Sequence, residues 1–315
     1  MAIPADPLRA AAAASTAKAS QGLVAGAAPP PRRLTAVVPV RNRRQLTLRF
    51  LEQMAGQTYP NLRVLVVDSN SSDGTAAAIR AAHPDVRVLA ASDDDYWAGA
   101  TNRGLRQALA QGSEWLLTIN DDAVVPSDHI ERLVAIAEAY GCRILGSQIN
   151  HLDDPELIWS LGTFTTWGGA ELLRLGHHGE RNRQRESYVA TSAVLRVDAL
   201  PGNGVLWHHS VLRQIGLFNE RQLPHYHADS ELVMRAVASG IPAWVTPQLV
   251  LLNDFSPRQK QLPLNSVQGL LWTLGNPKSH LYLPPLLYIL WRYCPSAAKP
   301  ATALALLRRF LRMRR

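Results

Sequence analysis

Between Leu34 and Asp122 the chain repeats one pattern: a short, continuous apolar run followed by a stretch in which apolar residues fall at helical spacing. LTAVVPV, LRVLVVD, VRVLAAS and WLLTIND are the apolar runs; RRQLTLRFLEQMAGQ, DGTAAAIRAAH and the segment around ATNRGLRQALAQ separate them. Runs without polar alternation are the mark of strands covered on both faces, as in parallel sheets. Helical crossovers between such strands are right-handed, so the pattern predicts an α/β fold with a doubly wound, Rossmann-like sheet. Ligands of such sheets sit beyond the carboxyl ends of the strands. Polar residues gather at those ends: Pro39, Arg41 and Asn42 follow the first strand, Asp68 ends the second, and Asn120, Asp121 and Asp122 end the fourth. Together they predict one nucleotide pocket.

Asp68 closes an apolar strand where no helix needs a cap, which frees its carboxylate to accept hydrogen bonds from a base or ribose. Asp73 stands just before Gly74 and Thr75 where a helix can begin, so helix cap and ligand contact are equally open readings. TINDDAVVPSD joins an amide to two adjacent carboxylates, a concentration of oxygen ligands suited to Mg²⁺ or Mn²⁺. An acidic turn before a helix would look the same. Position favours the metal, because a cation there would lie beside the crevice where a diphosphate could bridge it to the protein.

Composition bounds the alternatives. With 315 residues, 47% of them hydrophobic, the chain can bury a large core, and its net charge of +8 suits an anionic partner. The two cysteines, Cys142 and Cys294, form no CxxC or Cys/His cluster, which argues against a disulfide framework or zinc site and for a reducing, cytoplasmic setting. Residues 1–33 are rich in Ala, Ser, Gly and Pro, lack the apolar core of a secretory signal and read as a flexible arm. LYLPPLLYILW, Leu281 to Trp291, is the longest apolar stretch, too short for a membrane span and interrupted by Pro284 and Pro285.

Four ordered segments resemble family-two glycosyltransferases, over about Leu34 to Asp254. VVPVRN resembles the family's first strand and nucleotide loop; VVDSNSSDGT resembles its uridine-contacting segment; TINDDA resembles its DXD-type metal motif. The fourth, LPGNGVLWHHSVLRQIGLFNERQLPHYHADSELVMRAVASG, resembles its acceptor loop and catalytic region. The resemblance implies a GT-A fold, a single nucleotide-binding domain with a mixed central sheet over residues 34–257. It also implies inverting transfer from a nucleotide sugar, UDP- or dTDP-linked, to a saccharide or lipid-linked acceptor in cell-surface polysaccharide or lipopolysaccharide synthesis. In that alignment Asp122 is the metal carboxylate, Asn120 takes the first place of the triplet, and Asp121 is a secondary candidate. Asp229 matches the general base, at a helix start that favours its ionised form. Nucleotide contacts are expected from Pro39, Arg41, Asn42, Asp68, Asn102, Arg103 and Asp121, with Trp97 beside them. Acceptor contacts are expected at Gly202, Gly204, Trp207 and Glu231. Arg103 reads equally as a phosphate partner or a solvated helix arginine; Glu231 reads as a residue that orients the base or contacts the acceptor, or as a solvated first-turn carboxylate, with the solvated reading favoured.

The sequence also departs from the family pattern. No histidine follows the last strand as a further metal ligand; Asn253 and Asp254 stand there, Ala228 precedes the base, and the QxxRW signature of processive enzymes is absent. Asn219, Ala228 and the missing histidine motivate one alternative, a catalytically silent carbohydrate-binding or scaffold protein of the same fold, while the absent QxxRW points to the addition of one sugar or few. A sugar nucleotidyltransferase or a dehydrogenase fits less well, because no glycine-rich loop follows the first strand. Nucleic acid is not the expected partner, since the aromatics do not interleave with a basic strand motif. Residues 258–315 gather aromatic and basic residues. LALLRRFLRMRR sets leucines and Phe310 on one face and arginines on the other, which suits peripheral attachment to the inner face of the plasma membrane or packing on the catalytic domain.

Overall fold

The computed structural model describes residues 31–169, 171–182, 192–255 and 266–313. The expected arm lies almost wholly outside them, as does the side chain of Phe310. Four parallel strands carry the first half: β1 (Leu34–Val40), β2 (Leu62–Ser69), β3 (Arg87–Ala91) and β4 (Trp115–Thr118). Between them run α1 (Arg44–Ala55), α2 (Thr75–Ala82) and α3 (Tyr96–Ala110), where the sequence pattern predicts helices. Next come β5 (Ala123–Val124), α4 (His129–Ala139), β6 (Ile144–His151), β7 (Ile158–Ser160), β8 (Thr163–Thr165), β9 (Leu173–Leu175) and β10 (Leu195–Val197). The chain continues through β11 (Val205–His208), α5 (His209–Ile215), α6 (Ala228–Ala238) and β12 (Ala243–Asn253). Three helices end it: α7 (Val267–Gly275), α8 (Leu283–Tyr293) and α9 (Lys299–Met313).

The main sheet runs β10-β12-β6-β11-β4-β1-β2-β3, and β11 enters antiparallel to both of its neighbours, β4 and β6. The sheet is therefore mixed, as the family resemblance implied. Its two faces bury different residues. Val37 and Val67 join one core with Ala98, Leu105 and Ala108 of α3, while Ala36, Val38 and Val66 join the other with Phe50, Ile79, Ile130 and Leu133. Adjacent strand residues point to opposite faces, so a run without polar alternation demands helices on both sides. Helix α3 lies unusually close: a Cβ at Gly104 would stand 2.4 Å from Val37 Cγ1 and 3.0 Å from Val67 Cγ2.

Residues 32–315 cluster as one compact unit. Leu286, Ile289 and Leu290 of α8 and Leu306 of α9 are buried in the same core as Leu232, Val233 and Ala236 of α6. The C-terminal helices thus pack on the helix that carries Asp229. They present a second, outward face as well: Leu287, Trp291, Leu304 and Leu307 are all exposed, Trp291 at 77%. No helix among the described residues is long and apolar enough to cross a membrane.

Candidate active site

A cleft of about 1720 Å³ lies at the carboxyl ends of the strands. It is lined by Pro39, Asn42, Arg43, Arg44 and Asp73, by Trp97, Asn120 and Asp122, and by Gly202, Asn203, His225, Tyr226 and Asp229 together with Trp272, Lys278 and His280. The loops after β1 and β2 clasp each other. Asn42 donates its backbone N–H to Ser71 Oγ at 2.8 Å and accepts from the Ser72 N–H at 2.7 Å, while Asp73 accepts from the backbone N–H groups of Arg44 and Thr75, each at 3.0 Å. Asp73 therefore ties the first residue of α2 to the start of α1 while lining the cleft, and Gly74 takes the cap position.

Asp121 and Asp122 behave differently although adjacent. The Asp121 side chain is fully buried; it accepts from Thr47 Oγ1 at 2.8 Å, and Arg43 Nη1 stands 2.9 Å away, close enough for an ion pair though off the line of a hydrogen bond. Burial outweighs the arginine and pushes this carboxyl up to about 6. Asp122 keeps 15% of its side chain exposed, and its Oδ2 accepts from Arg43 Nη2 at 2.7 Å. Its Oδ1 is buried without a protein partner. Arg43 thus forks across both carboxylates, a role that sequence reasoning missed; its place one residue after Asn42, at a strand end, was the available signal. Asn120 is built into a relay of amides: its Oδ1 accepts from Trp97 Nε1 at 3.1 Å, its N–H donates to Asn203 Oδ1 at 2.9 Å, and Asn203 Nδ2 donates to Asn253 Oδ1 at 2.9 Å.

Asp229, the second residue of α6, is half-buried. Its Oδ2 accepts from the Gly202 N–H and its Oδ1 from the Ser230 N–H, both at 2.8 Å. Burial raises its pKa despite those donors and the nearby His227, so the helix start does not dominate as the sequence suggested. Gly202 is required beside it, because a Cβ there would lie 2.6 Å from Trp97 Cη2 and 3.0 Å from Asp229 Cβ.

Several residues expected at the site lie elsewhere. Asp68 is 6% exposed, does not line the cleft, and spends Oδ1 on the N–H and hydroxyl of Ser71, holding its own loop. Asn102 is buried and clasps Phe218 and Glu220: its Nδ2 donates to the Phe218 carbonyl at 2.8 Å and to Glu220 Oε2 at 2.6 Å, and its Oδ1 accepts from the Phe218 N–H. Arg41 pairs with Asp93 at 3.0 Å and Arg103 with Asp95 at 3.2 Å, both outside the cleft. Trp207 lies within β11, 1% exposed, donating to Thr118 Oγ1 at 3.3 Å. Gly204 takes φ +77° with Leu251 packed where a Cβ would go. Glu231 is neither solvated nor in the cleft: it is 1% exposed and held by Arg235 and by the Tyr293 hydroxyl, each at 2.6 Å.

With this geometry in view, the comparisons with known proteins are specific. The family described as "Glycosyl transferase family 2" matches residues 35–200. The chain belongs to that family. Among curated relatives, it is 28% identical over 235 residues to the succinoglycan biosynthesis protein ExoA of Rhizobium meliloti, covering 72% of this chain and 64% of that one. It is 26% identical over 216 residues to the galactofuranosyltransferase GlfT1 of Mycobacterium tuberculosis, covering 66% and 65%. The family-2 chain therefore spans a little under two thirds of these relatives. Among solved structures, S. aureus TarS 1-349 in complex with UDP matches with TM-score 0.52 at 16% identity, covering 89% of this chain and 72% of that one. The mannosyltransferase PcManGT from Pyrobaculum calidifontis, in complex with GDP-Man and Mn2+, matches with TM-score 0.52 at 21% identity, covering 96% and 81%. These likenesses establish the GT-A fold.

The fold family implies a divalent cation, and the residues present fit one in a particular way. Among the described residues no cluster of three His, Cys, Asp or Glu side chains could hold a metal. Asp122 nevertheless lines the cleft with 15% of its side chain exposed, and its buried Oδ1 has no protein partner. Mg²⁺ and its like are commonly held by one or two carboxylates with substrate phosphates and water completing the shell, and one free carboxylate oxygen suits that mode.

Proposed function

We propose that this family-2 chain transfers a sugar from a nucleoside diphosphate sugar, UDP- or dTDP-linked, to a hydroxyl of a saccharide or lipid-linked acceptor, with inversion, in the assembly of cell-surface polysaccharide. One observation carries the reading: Asp229 lines the same cleft as Asp122 and Asn120. The clasped loops of Asn42 and Asp73, with Arg43 and Arg44, offer backbone and cationic groups to the donor's nucleotide and diphosphate. Asp229 takes the proton of the acceptor hydroxyl as that oxygen bonds to the anomeric carbon and the carbon–oxygen bond to the diphosphate breaks, the electron pair leaving with the phosphate. A raised pKa makes its carboxylate a stronger base. Asp122 would hold a divalent cation, Mn²⁺ or Mg²⁺, which would supply positive charge beside the diphosphate.

The test is a panel of nucleotide sugars with Mn²⁺, scored for transfer and for slow donor hydrolysis. Asp229→Asn is expected to lower transfer by about 10²–10⁴-fold while UDP with Mn²⁺ still protects the protein thermally. Undiminished transfer by that variant would remove Asp229 from the chemistry.

The proposal also seats the chain peripherally on the cytoplasmic face of the membrane. Five of the eight large apolar side chains exposed among the described residues, Leu271, Leu287, Trp291, Leu304 and Leu307, lie on α7–α9. Basic groups adjoin them: Lys299 Nζ stands 4.6 Å from the Trp291 ring centre, with Arg292 and Arg308 on the same helices. Each basic residue near an anionic surface adds about 1 kcal/mol. Co-sedimentation with phosphatidylglycerol vesicles, lost in Trp291→Glu with Leu307→Glu, is the expected outcome. Equal sedimentation of both proteins would exclude this face.

A further inference from the structure

The segment that matches the family stops at residue 200, and the cleft does not. Its charged lining, Arg43, Arg44, Asp73 and Asp122, comes from the matched part. Beyond residue 200 the lining changes character: apart from Asp229 and Lys278 it is uncharged and rich in rings, with His225, Tyr226, Trp272 and His280 among them. Trp272 and His280 come from the C-terminal helices and the connection between α7 and α8, docked on α6 through His227, whose Nε2 lies 3.0 Å from the His280 carbonyl.

We infer that His225, Tyr226, Trp272 and His280 form the acceptor subsite, and that it takes an uncharged sugar ring. This rests on the reading of Asp229 as the base, which sits three residues after Tyr226 and fixes where the reacting hydroxyl must come.

Three features favour a sugar. Tyr226 is 38% exposed although its ring is fixed nearly perpendicular to two neighbours, His225 at 4.8 Å and 86° and His280 at 6.4 Å and 84°. An aromatic ring so held, yet still open, offers a preset platform to the C–H face of a saccharide. His225 Nδ1 is buried with no protein partner, where native folds rarely leave a polar atom. Burial, and then the neighbouring Lys278 cation, hold that imidazole neutral, its pKa lowered to about 4, so it can hydrogen-bond a hydroxyl and adds no charge of its own. Finally, Trp272 and its helical neighbour Leu271 divide their surfaces: Trp272 lines the cleft while Leu271 is 68% exposed. A ring bound against Trp272 therefore lies next to the apolar face available to a lipid carrier.

The experiment is saturation-transfer NMR with a panel of methyl glycosides of common hexoses, pyranose and furanose, run with and without saturating UDP and Mn²⁺. Wild-type protein is expected to saturate ring protons of at least one glycoside. Tyr226→Ala and Trp272→Ala should each weaken that glycoside about fivefold, while Tyr226→Phe, which keeps the ring, should bind within about twofold of wild type. UDP affinity should be the same in all. Unchanged glycoside binding in both alanine variants, or no glycoside bound by the wild type, overturns the subsite. Failure of UDP to bind strikes the donor reading instead, and the glycoside result obtained without UDP still decides the wall.

Discussion

Breaking the contact between Tyr293 and Glu231 is predicted to loosen the C-terminal helices from α6 without touching the cleft. Glu231 is 1% exposed and accepts from the Tyr293 hydroxyl at 2.6 Å and from Arg235 at 2.6 Å and 3.2 Å. The phenol is held well above its usual pKa by burial and then by that carboxylate, so it stays a donor at every working pH. Tyr293→Phe removes one hydrogen bond to a charged group, about 1.5–3 kcal/mol. Glu231→Gln removes the charge and one acceptor oxygen, so that Arg235, itself one quarter exposed, keeps a neutral amide oxygen and the Ile215 carbonyl at 2.8 Å. Losing one partner of a buried pair costs about 3–5 kcal/mol, and the retained amide oxygen together with the exposed share of Arg235 sets the expectation below that range, about 2. Because both changes act on one carboxylate, the double variant should fall short of their sum by about 1–2 kcal/mol. Urea unfolding of wild type, both single variants and the double variant measures this. Additivity within about 0.5 kcal/mol refutes the contact. Unchanged stability with an increased acceptor KM in Glu231→Gln would return Glu231 to the acceptor, where the sequence placed it.

Gly202→Ala should lower transfer with little effect on UDP binding, since the added Cβ meets Trp97 and Asp229 rather than the nucleotide loops; wild-type kcat in this variant would show that the base tolerates displacement. Asp122→Asn should abolish the extra thermal protection that Mn²⁺ adds to UDP, and an unchanged increment would dissociate Asp122 from the cation. His129, 1% exposed with Nε2 3.0 Å from Ser147 Oγ, is lowered from 6.5 to about 4 by burial, against Asp128 and aided by Arg132. Below pH 6.5 the unfolded chain takes up a proton that the fold refuses, so stability is complete above that value and falls by about 3 kcal/mol as pH drops to about 4. Unfolding midpoints across that window should decline less steeply in His129→Gln; an identical slope would place the acid sensitivity elsewhere.

The parts of the site that lay at strand ends could be read from the chain. Pro39, Asn42, Asn120 and Asp122 follow apolar runs, and the turn after such a run has one place to go, the carboxyl edge of the sheet. Trp207 shows where this reasoning stops. The family resemblance implies an acceptor contact there, yet β11 inserts antiparallel between β4 and β6 and carries it into the core. A four-residue apolar run does not state which strands will flank it. Asp68 and Asn102 illustrate the same gap at the level of hydrogen bonds, since each finds a protein partner that occupies the capacity assumed free for ligand.

The order of the first strands and helices, the two-sided core and the place of Asp122 at a strand end were therefore determined by the sequence, because periodicity is local and each apolar face must be covered by its neighbours, whereas Asp229 was singled out only by the family resemblance. The fork of Arg43 over Asp121 and Asp122, the burial of Glu231 under Tyr293, and the ring-lined wall brought by Trp272 and His280 were decided only by tertiary structure. Each depends on which distant side chain arrives first at a charge or a surface, and residues up to 79 positions apart in the chain make those contacts. Pairing of that kind leaves no period in the sequence.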